Sequence, residues 1–420
     1  MGRLIQVFEY EKLTLFASDN LFGYKLTQPE LEKLYEFNDT SNNIYFTAIR
    51  NGIKFKSYVG VIQIGTLTIE ILPKADRNIS KDASEYRLWS KALLKMLAYC
   101  NYIKVDSVSE ANLHQRYHSI LDLYFDLYLN EVSRLLHQGL IKKYRYKAVN
   151  SGAFKGRIIF GKHIQKNLIH QERTYTSQQV YDYEHTINQI LLRALSILNT
   201  LDIHCRLKDQ IARIKMDFPE ITEIAINKTH FEQVYTNRKN LGYEEALKIA
   251  KMIILNYSPD IRSGRENMIA LLFDMNKLWE EYVYRMLMRA KSDQYNISFQ
   301  NRKKFWEHKT IRPDLVIEIK QNDGTIKCHI IDTKWKIISD FSPSDDDLQQ
   351  MFAYNLYWDA EQSLLLYPQT HTESDISGSF HKKILEDNRC MIGFISVLDD
   401  SGSLDLDIGF KVLEKLETEY

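Results

Sequence analysis

Between residues 312 and 334 the chain spells out a β-hairpin whose ends carry charge. Leu315-Val316-Ile317 and His329-Ile330-Ile331 are short apolar runs, and Asn322-Asp323-Gly324 between them is a strong tight-turn signal. With Asp323-Gly324 as a two-residue turn, Asp314 is expected opposite Thr333; a one-residue change of loop shifts the pairing by a position or two. Either register brings Asp314, in Arg312-Pro313-Asp314, beside Asp332, in Asp332-Thr333-Lys334. Strand side chains alternate with period two, so Asp332 and Lys334 share a face, and two carboxylates and one ammonium enter one small volume. Hairpins often end in solvated ion pairs, but two adjacent inward carboxylates repel each other without a cation, which favours a functional over a structural role.

Mg²⁺, or Mn²⁺ in its place, wants such an oxygen shell. Phosphodiester hydrolysis is the chemistry that fits: bound cations polarise phosphoryl oxygens and lower the pKa of an attacking water, while a lysine orients that water or stabilises the developing charge. A third carboxylate is sought in Met275–Leu287, where Leu278, Trp279, Tyr282, Val283, Met286 and Leu287 form a helical apolar stripe. Glu280 borders this stripe and Glu281 points away from it, which selects Glu280.

A helical Glu, then Arg-Pro-Asp, then Asp-x-Lys, then a helix with Gln350-Met351 and Tyr354 resembles the PD-(D/E)xK nuclease superfamily. The stretch from Gly156-Arg157-Ile158-Ile159-Phe160 through Asn167-Leu168-Ile169-His170-Gln171 to Asn188-Gln189-Ile190-Leu191 narrows the resemblance to the McrC family, over roughly residues 110 to 370. This resemblance implies the Mg²⁺-dependent DNA endonuclease subunit of a modification-dependent, 5-methylcytosine-type restriction system in phage defence. Its partner would be a McrB-like AAA+ GTPase that recognises methylated DNA. Carried over by position, the metal ligands are Asp314, Asp332 and Glu280, the catalytic lysine is Lys334, and Gln350 is the glutamine of the following helix; helical phase does not separate Gln350 from Gln349. No Gly-x-x-x-x-Gly-Lys-Ser/Thr loop occurs, so no nucleotide is expected on this chain itself.

The net charge of zero means that DNA must be held by local patches. Lys142, Lys143, Arg145, Lys147, Lys155, Arg157, Lys162, Lys166 and Arg173 face the single acid Glu172, with Tyr144, Tyr146 and Phe154 interleaved. They make a surface for DNA, Lys155 and Arg157 foremost, or for an acidic face of the motor, or the solvated face of ordinary strands. Arg302, Lys303, Lys304, Lys309 and Arg312 lie just upstream of the site and are read as DNA-guiding. His114 and His118, at i and i+4, lack the Glu of a zinc-protease motif and read as structural or surface residues. Cys100, Cys205, Cys328 and Cys390 have no paired spacing, so free thiols in a reducing cytoplasm are expected. No apolar run suggests export or a membrane span.

At 420 residues the chain exceeds a single core of about 250–300 residues. A partner-docking region is expected over 1–262, comprising a β-rich module (1–82) and a helical section with a basic β segment (83–262). The nuclease domain is expected over 263–420. The fold class is α+β overall, with a carboxy-terminal α/β restriction-endonuclease-like core and mixed sheet. That core is read as a helix over about 268–291, the hairpin, a helix near 345–359 and strands at 363–367 and 391–397, with 370–379 a surface loop. A double-strand break requires two active sites, so paired copies or paired complexes are expected. Two other function classes fit the residues: a stand-alone repair or structure-specific nuclease, and a non-cleaving activator of the NTPase partner.

Overall fold

The computed structural model describes residues 3–16, 23–73, 83–103, 120–234, 238, 240–258, 267–321, 323–336, 338, 343–369, 374–381 and 389–417. His114 and His118 lie outside them, as does the Ser263-Gly264 loop at the expected domain division. The amino-terminal strands are β1 (Arg3–Phe8), β2 (Lys12–Thr14), β3 (Phe46–Ile49), β4 (Gly52–Phe55), β5 (Tyr58–Ile64) and β6 (Leu67–Leu72), with helix α1 (Gln28–Thr40) and then α2 (Ala83–Tyr99). The middle contains α3 (Ile120–Gln138), β7 (Lys143–Ser151), β8 (Arg157–Ile158), α4 (Phe160–Asn167), β9 (Thr174–Asp182), α5 (Thr186–Thr200), α6 (Cys205–Asp217), α7 (Lys228–Glu232) and α8 (Glu244–Leu255). After β10 (Tyr257–Ser258) and β11 (Met268–Asp274) come α9 (Met275–Ala290), β12 (Tyr295–Phe299), β13 (Lys303–Trp306), β14 (Lys309–Ile311), β15 (Leu315–Lys320) and β16 (Ile326–Thr333). The chain continues with α10 (Asp345–Trp358), β17 (Gln362–Pro368), β18 (Ile376–Ser379), β19 (Arg389–Ile395) and α11 (Ile408–Glu417).

The architecture is mixed α+β. The carboxy-terminal sheet has the order β12-β15-β16-β17-β19-β18; β17 runs parallel to both β16 and β19, and the other pairs are antiparallel. Its central strands are nearly continuous apolar runs because both faces are covered. Leu315, Ile317, Ile331, Leu364 and Leu366 enter the main core, with Trp279, Met286 and Val412 from α9 and α11. Val316, Ile330, Leu365 and Tyr367 face the opposite way, toward Met351, Tyr354 and Trp358 of α10.

Three expectations are corrected. The helix expected over 268–291 is a strand followed by a helix. Met268–Phe273 is an uninterrupted apolar run, and Asp274 ends it by capping α9, its side chain accepting from the Asn276 amide. The hairpin turn is longer by one residue: Gln321 N donates to Thr325 O and Gly324 N to Gln321 O, with Gly324 at φ +87°, where only glycine is relaxed. Leu315 therefore pairs with Ile331, which puts Asp314 opposite Asp332 instead of Thr333. In the segment 370–379 expected as a loop, Ile376–Ser379 is an exposed edge strand on β19.

Strand β11 lies on the carboxy-terminal side of residue 263, yet it completes the amino-terminal sheet, of order β1-β6-β5-β11-β10. Gly60 makes this pairing possible: a Cβ there would stand 2.1 Å from Leu271 O. One apolar core accordingly runs from Phe8, Val59 and Val61 through α3, α5 and α8 to Trp279, Leu364 and Val412. Across the shared wall, Glu9 accepts the Trp335 indole N–H at 2.5 Å, both residues being fully buried.

The three-stranded sheet β7-β9-β8 with α4 is built differently. Between 143 and 182 only Asn167 and Thr176 are buried. Its order comes from the nine-residue β7–β9 ladder, reciprocal Asn150–Asn167 hydrogen bonds of 2.9 and 2.8 Å, and an Arg145–Asp182 ion pair at 2.9 Å.

Candidate active site

Four elements meet at the end of the carboxy-terminal hairpin. β15 is preceded by Asp314, β16 contributes Asp332 and leads into Lys334, α9 brings Glu280, and α10 brings Gln350. Asp332 and Lys334, two apart on one face, form an ion pair at 2.6 Å. Asp314 Oδ2 accepts from the Thr333 amide at 2.8 Å and from its hydroxyl at 2.9 Å. Glu280 is buried and accepts from Gln300 Nε2 at 2.7 Å, whereas Glu281 pairs with Arg285 at 3.0 Å along the helix surface. Gln350 accepts from Lys334 Nζ at 3.2 Å and donates to Tyr354 Oη at 2.7 Å; Gln349 is exposed. Tyr354 in turn donates to the Arg312 carbonyl at 2.8 Å, so α10 clamps the backbone two residues before Asp314.

Burial is the first cause of the site's electrostatics. Asp314 is pushed up to about 6 by burial and then by the charge of Glu280, against the opposing hydrogen bonds from Thr333. Asp332 is likewise raised to about 6, by burial and by Asp314, with Lys334 opposing. Glu280 is raised by burial, partly offset by Gln300 and Arg312. Lys334 keeps its charge: burial works against it, but Asp332 and then Asp347 outweigh that and raise its pKa. Burial of Asp347 is overcome by Lys336, Ser344 and Lys334, which hold its carboxyl at about 2.

Among the described residues no group of three or more His, Cys, Asp or Glu side chains stands ready-made around a cation. Each carboxylate of the site is instead turned onto a protein donor: Gln300, Thr333 or Lys334. The donor set nevertheless suits a hard divalent cation: of its three carboxylates, Asp314 is raised by burial and Glu280, and Asp332, on the adjacent strand, by burial and Asp314. Glu280, Asp314 and Asp332 are the residues that would hold one.

Sequence reasoning missed Gln300, Asp347 and the hydroxyl of Thr333. Gln300 sits in the left-handed region at φ 52° and links Arg312, whose Nη1 donates to it at 3.1 Å, to Glu280. Only that uncommon backbone position could have flagged it, and sequence does not display it. Arg302, Lys303 and Lys304 are exposed around the β13–β14 hairpin and Arg312 at the rim of the site, while Arg157 lies on the separate β7-β9-β8 sheet and Lys155 in the connection leading into β8. In that basic patch Lys162 and Lys166 stand over the Tyr175 ring, at 5.8 and 5.5 Å. The cysteines are all free, with Cys100 and Cys390 buried. Among the described residues no helix is long and apolar enough to cross a membrane.

A family model described as "McrBC 5-methylcytosine restriction system component" matches residues 53–368. The chain belongs to that family. The McrC-like motifs lie inside or close to the matched span, and the fold agrees. A chain of the refined half-complex from the tetradecameric assembly of Thermococcus gammatolerans McrB AAA+ hexamers with bound McrC is similar at TM-score 0.68 and 18% identity, over 98% of this chain and 100% of that one. A chain of the cryo-EM structure of the Thermococcus gammatolerans McrBC complex is similar at TM-score 0.50 and 20% identity, over 68% of this chain and 87% of that one. Among curated proteins nothing matches. The McrC-type chain is thus a component of a McrBC restriction system, with the hairpin site in its carboxy-terminal sheet.

Proposed function

We propose that this McrC-type chain is the Mg²⁺-dependent, or Mn²⁺-dependent, DNA endonuclease subunit of its restriction system, and that its carboxy-terminal sheet is a PD-(D/E)xK core. The observation that carries the reading is the convergence of three largely buried carboxylates with a charged lysine on two adjacent strands and one helix. A divalent cation bound by Asp314, Asp332 and Glu280 would supply Lewis-acid polarisation of the scissile phosphate and an acidified water. The chain's own residues do the rest. Lys334 remains an ammonium because Asp332 and Asp347 face it, so it serves as an electrostatic stabiliser of the phosphoryl oxygens and not as a base. Gln350 holds its Nζ in place, and the Gln350–Tyr354–Arg312 chain fixes α10 against the strand leading to Asp314. Gln300 orients Glu280 and meets Arg312.

The β7-β9-β8 module, with its exposed Tyr146, Phe160, Leu168 and Ile169, is the part we assign to docking on a McrB-like AAA+ GTPase. Residues 1–262 would then serve as the partner-docking region and 263–420 would carry the cutting site. DNA is the substrate, and paired complexes make the double-strand break.

The test is cleavage of methylated DNA with Mg²⁺ by the chain alone and with its cognate motor plus GTP, in wild type and Asp332→Ala. Cutting that needs motor and GTP and is lost in Asp332→Ala is the expected result. Cutting by the chain alone would replace this reading with a stand-alone nuclease. Stimulated GTPase without cutting would leave a non-cleaving activator.

A further inference from the structure

Among the described residues the β13–β14 hairpin is a two-stranded sheet paired with no other strand, and every residue of β13 is exposed. An isolated hairpin without a buried face is marginal in water. This one is held at its base: Lys303 Nζ donates to the Tyr357 carbonyl at 2.7 Å and stands 4.9 Å over the Trp358 ring, both at the end of α10. The pairing slips between Lys304, which faces Thr310, and Trp306, which faces Lys309. The bulge leaves Phe305 to turn toward Tyr357, ring centres 5.7 Å apart, and re-aims Trp306 at the tip, where Glu307 takes φ 47°.

Trp306 is 61% exposed and Phe305 51%. The other four tryptophans, Trp89, Trp279, Trp335 and Trp358, are all buried. Around the exposed pair stand Arg302, Lys303, Lys304, Lys309 and Arg312, with Glu307 the one acid from 300 to 312. Interleaved cations and exposed aromatic rings suit a nucleic acid, whose backbone takes the charges and whose bases offer faces for stacking. The position agrees: Asp314 is five residue steps from Lys309, at most about 17 Å, or about five base steps along a strand.

We propose that the β13–β14 hairpin is a DNA wedge, in which Trp306 stacks on or between bases within a few steps of the scissile phosphate while Lys304 and Lys309 hold the flanking phosphates. This rests on the nuclease reading for its geometry, but its test does not need cleavage. Trp306 is the one exposed tryptophan, so its fluorescence reports the hairpin directly.

In EDTA, duplex DNA added to the full-length wild-type chain is expected to quench tryptophan emission, and Trp306→Phe is expected to abolish the quench. Trp306→Ala is expected to weaken DNA binding about 5- to 100-fold without changing its salt dependence, and Trp306→Phe to restore most of the affinity. Lys304→Ala or Lys309→Ala should instead lower the slope of log affinity against log salt by about 1 each. The melting midpoint of Trp306→Ala should match wild type, since an exposed ring is removed. Wild type that binds no duplex, or that binds it with emission unchanged and with Trp306→Ala equally tight, overturns the wedge. So does a Trp306→Ala chain that loses the motor but keeps its DNA affinity, which would make the hairpin a protein contact. If the quench and the affinity loss appear but wild type with motor, GTP and Mg²⁺ does not cut, the wedge stands and the nuclease reading falls.

Discussion

The carboxy-terminal sheet and the β7-β9-β8 module break opposite rules of folding. The first, with helix α9, buries Asp332 and Glu280 and half-buries Asp314 where an apolar core would be more stable; the second leaves Tyr146, Phe160, Leu168 and Ile169 in water with scarcely a buried side chain beneath them. Both departures cost stability, and each shows by its chemistry what would recover it. Buried like charges are relieved by a cation, and exposed apolar side chains by a macromolecular surface. Under the proposed function the first region would take a metal and the second a partner.

The largest effect that could break this contrast is on catalysis. Asp332→Asn and Asp314→Asn should each lower DNA cleavage by at least about 10²–10³-fold, measured as single-turnover rates with motor, GTP and Mg²⁺ present. The same variants should be more stable than wild type in EDTA at pH 7–8. Both carboxyls have folded-state values raised to about 6, so the protonated form is preferred in the fold, and the stability they contribute at low pH is lost as pH rises from about 4 through about 6. Thermal melts across pH 4–8 check this: the advantage of the Asn variants should grow through that window and be small at pH 4. If it does not grow, the burial of charge is not the cost described here.

Mg²⁺ comes next. At one hundred times its dissociation constant it should stabilise the wild type by about 2.7 kcal/mol and raise its melting midpoint, while leaving Asp332→Asn nearly unmoved. The module is sharpened by Ile169→Asp or Tyr146→Asp, scored by co-purification with the motor. Loss of about 2 kcal/mol of affinity, roughly 30-fold, is expected at a hot spot, with the isolated chain's melting midpoint unchanged because these residues are exposed. An unfolded variant would place these side chains in a core after all.

The smallest effect concerns the join between module and helical core. His185 caps α5, its Nδ1 accepting from the Ile187 amide at 3.0 Å, a role open only to the neutral ring. Burial and then Lys143 push its pKa down from 6.5 to about 4. A depressed histidine contributes stability that is present above about 6.5 and is lost as pH falls toward 4. His185→Asn, a cap that does not titrate in this range, should flatten that part of the stability profile, read by thermal melts from pH 7 to 4.5.

Local placement was legible in the sequence. Period two placed Asp332 and Lys334 together, and the apolar stripe of 275–287 set Glu280 apart from Glu281, as their burial and pairing show. The hairpin register slipped by one because Asn322-Asp323-Gly324 suits both a two- and a three-residue loop, and only the fold chooses. Helical phase could not separate Gln349 from Gln350; the side chain that reaches Lys334 does. What stayed hidden was non-local. Met268–Phe273 reads equally as strand or buried helix, and its partner, β5, lies some two hundred residues earlier in the chain. Gln300 and Glu9 act through contacts that no spacing announces.

The Glu9–Trp335 hydrogen bond bears on how such a protein can be altered. Trp335 follows Lys334 directly and packs on Trp279, the neighbour of Glu280, at 5.4 Å between ring centres. A residue beside strand β1 therefore braces the tryptophans next to Lys334 and Glu280, more than 270 residues away in the sequence. The carboxy-terminal sheet is therefore not a portable cassette: a cut at residue 263 would strip β11 of its partner β5 and divide the core that Trp279 and Trp335 share with the amino-terminal half.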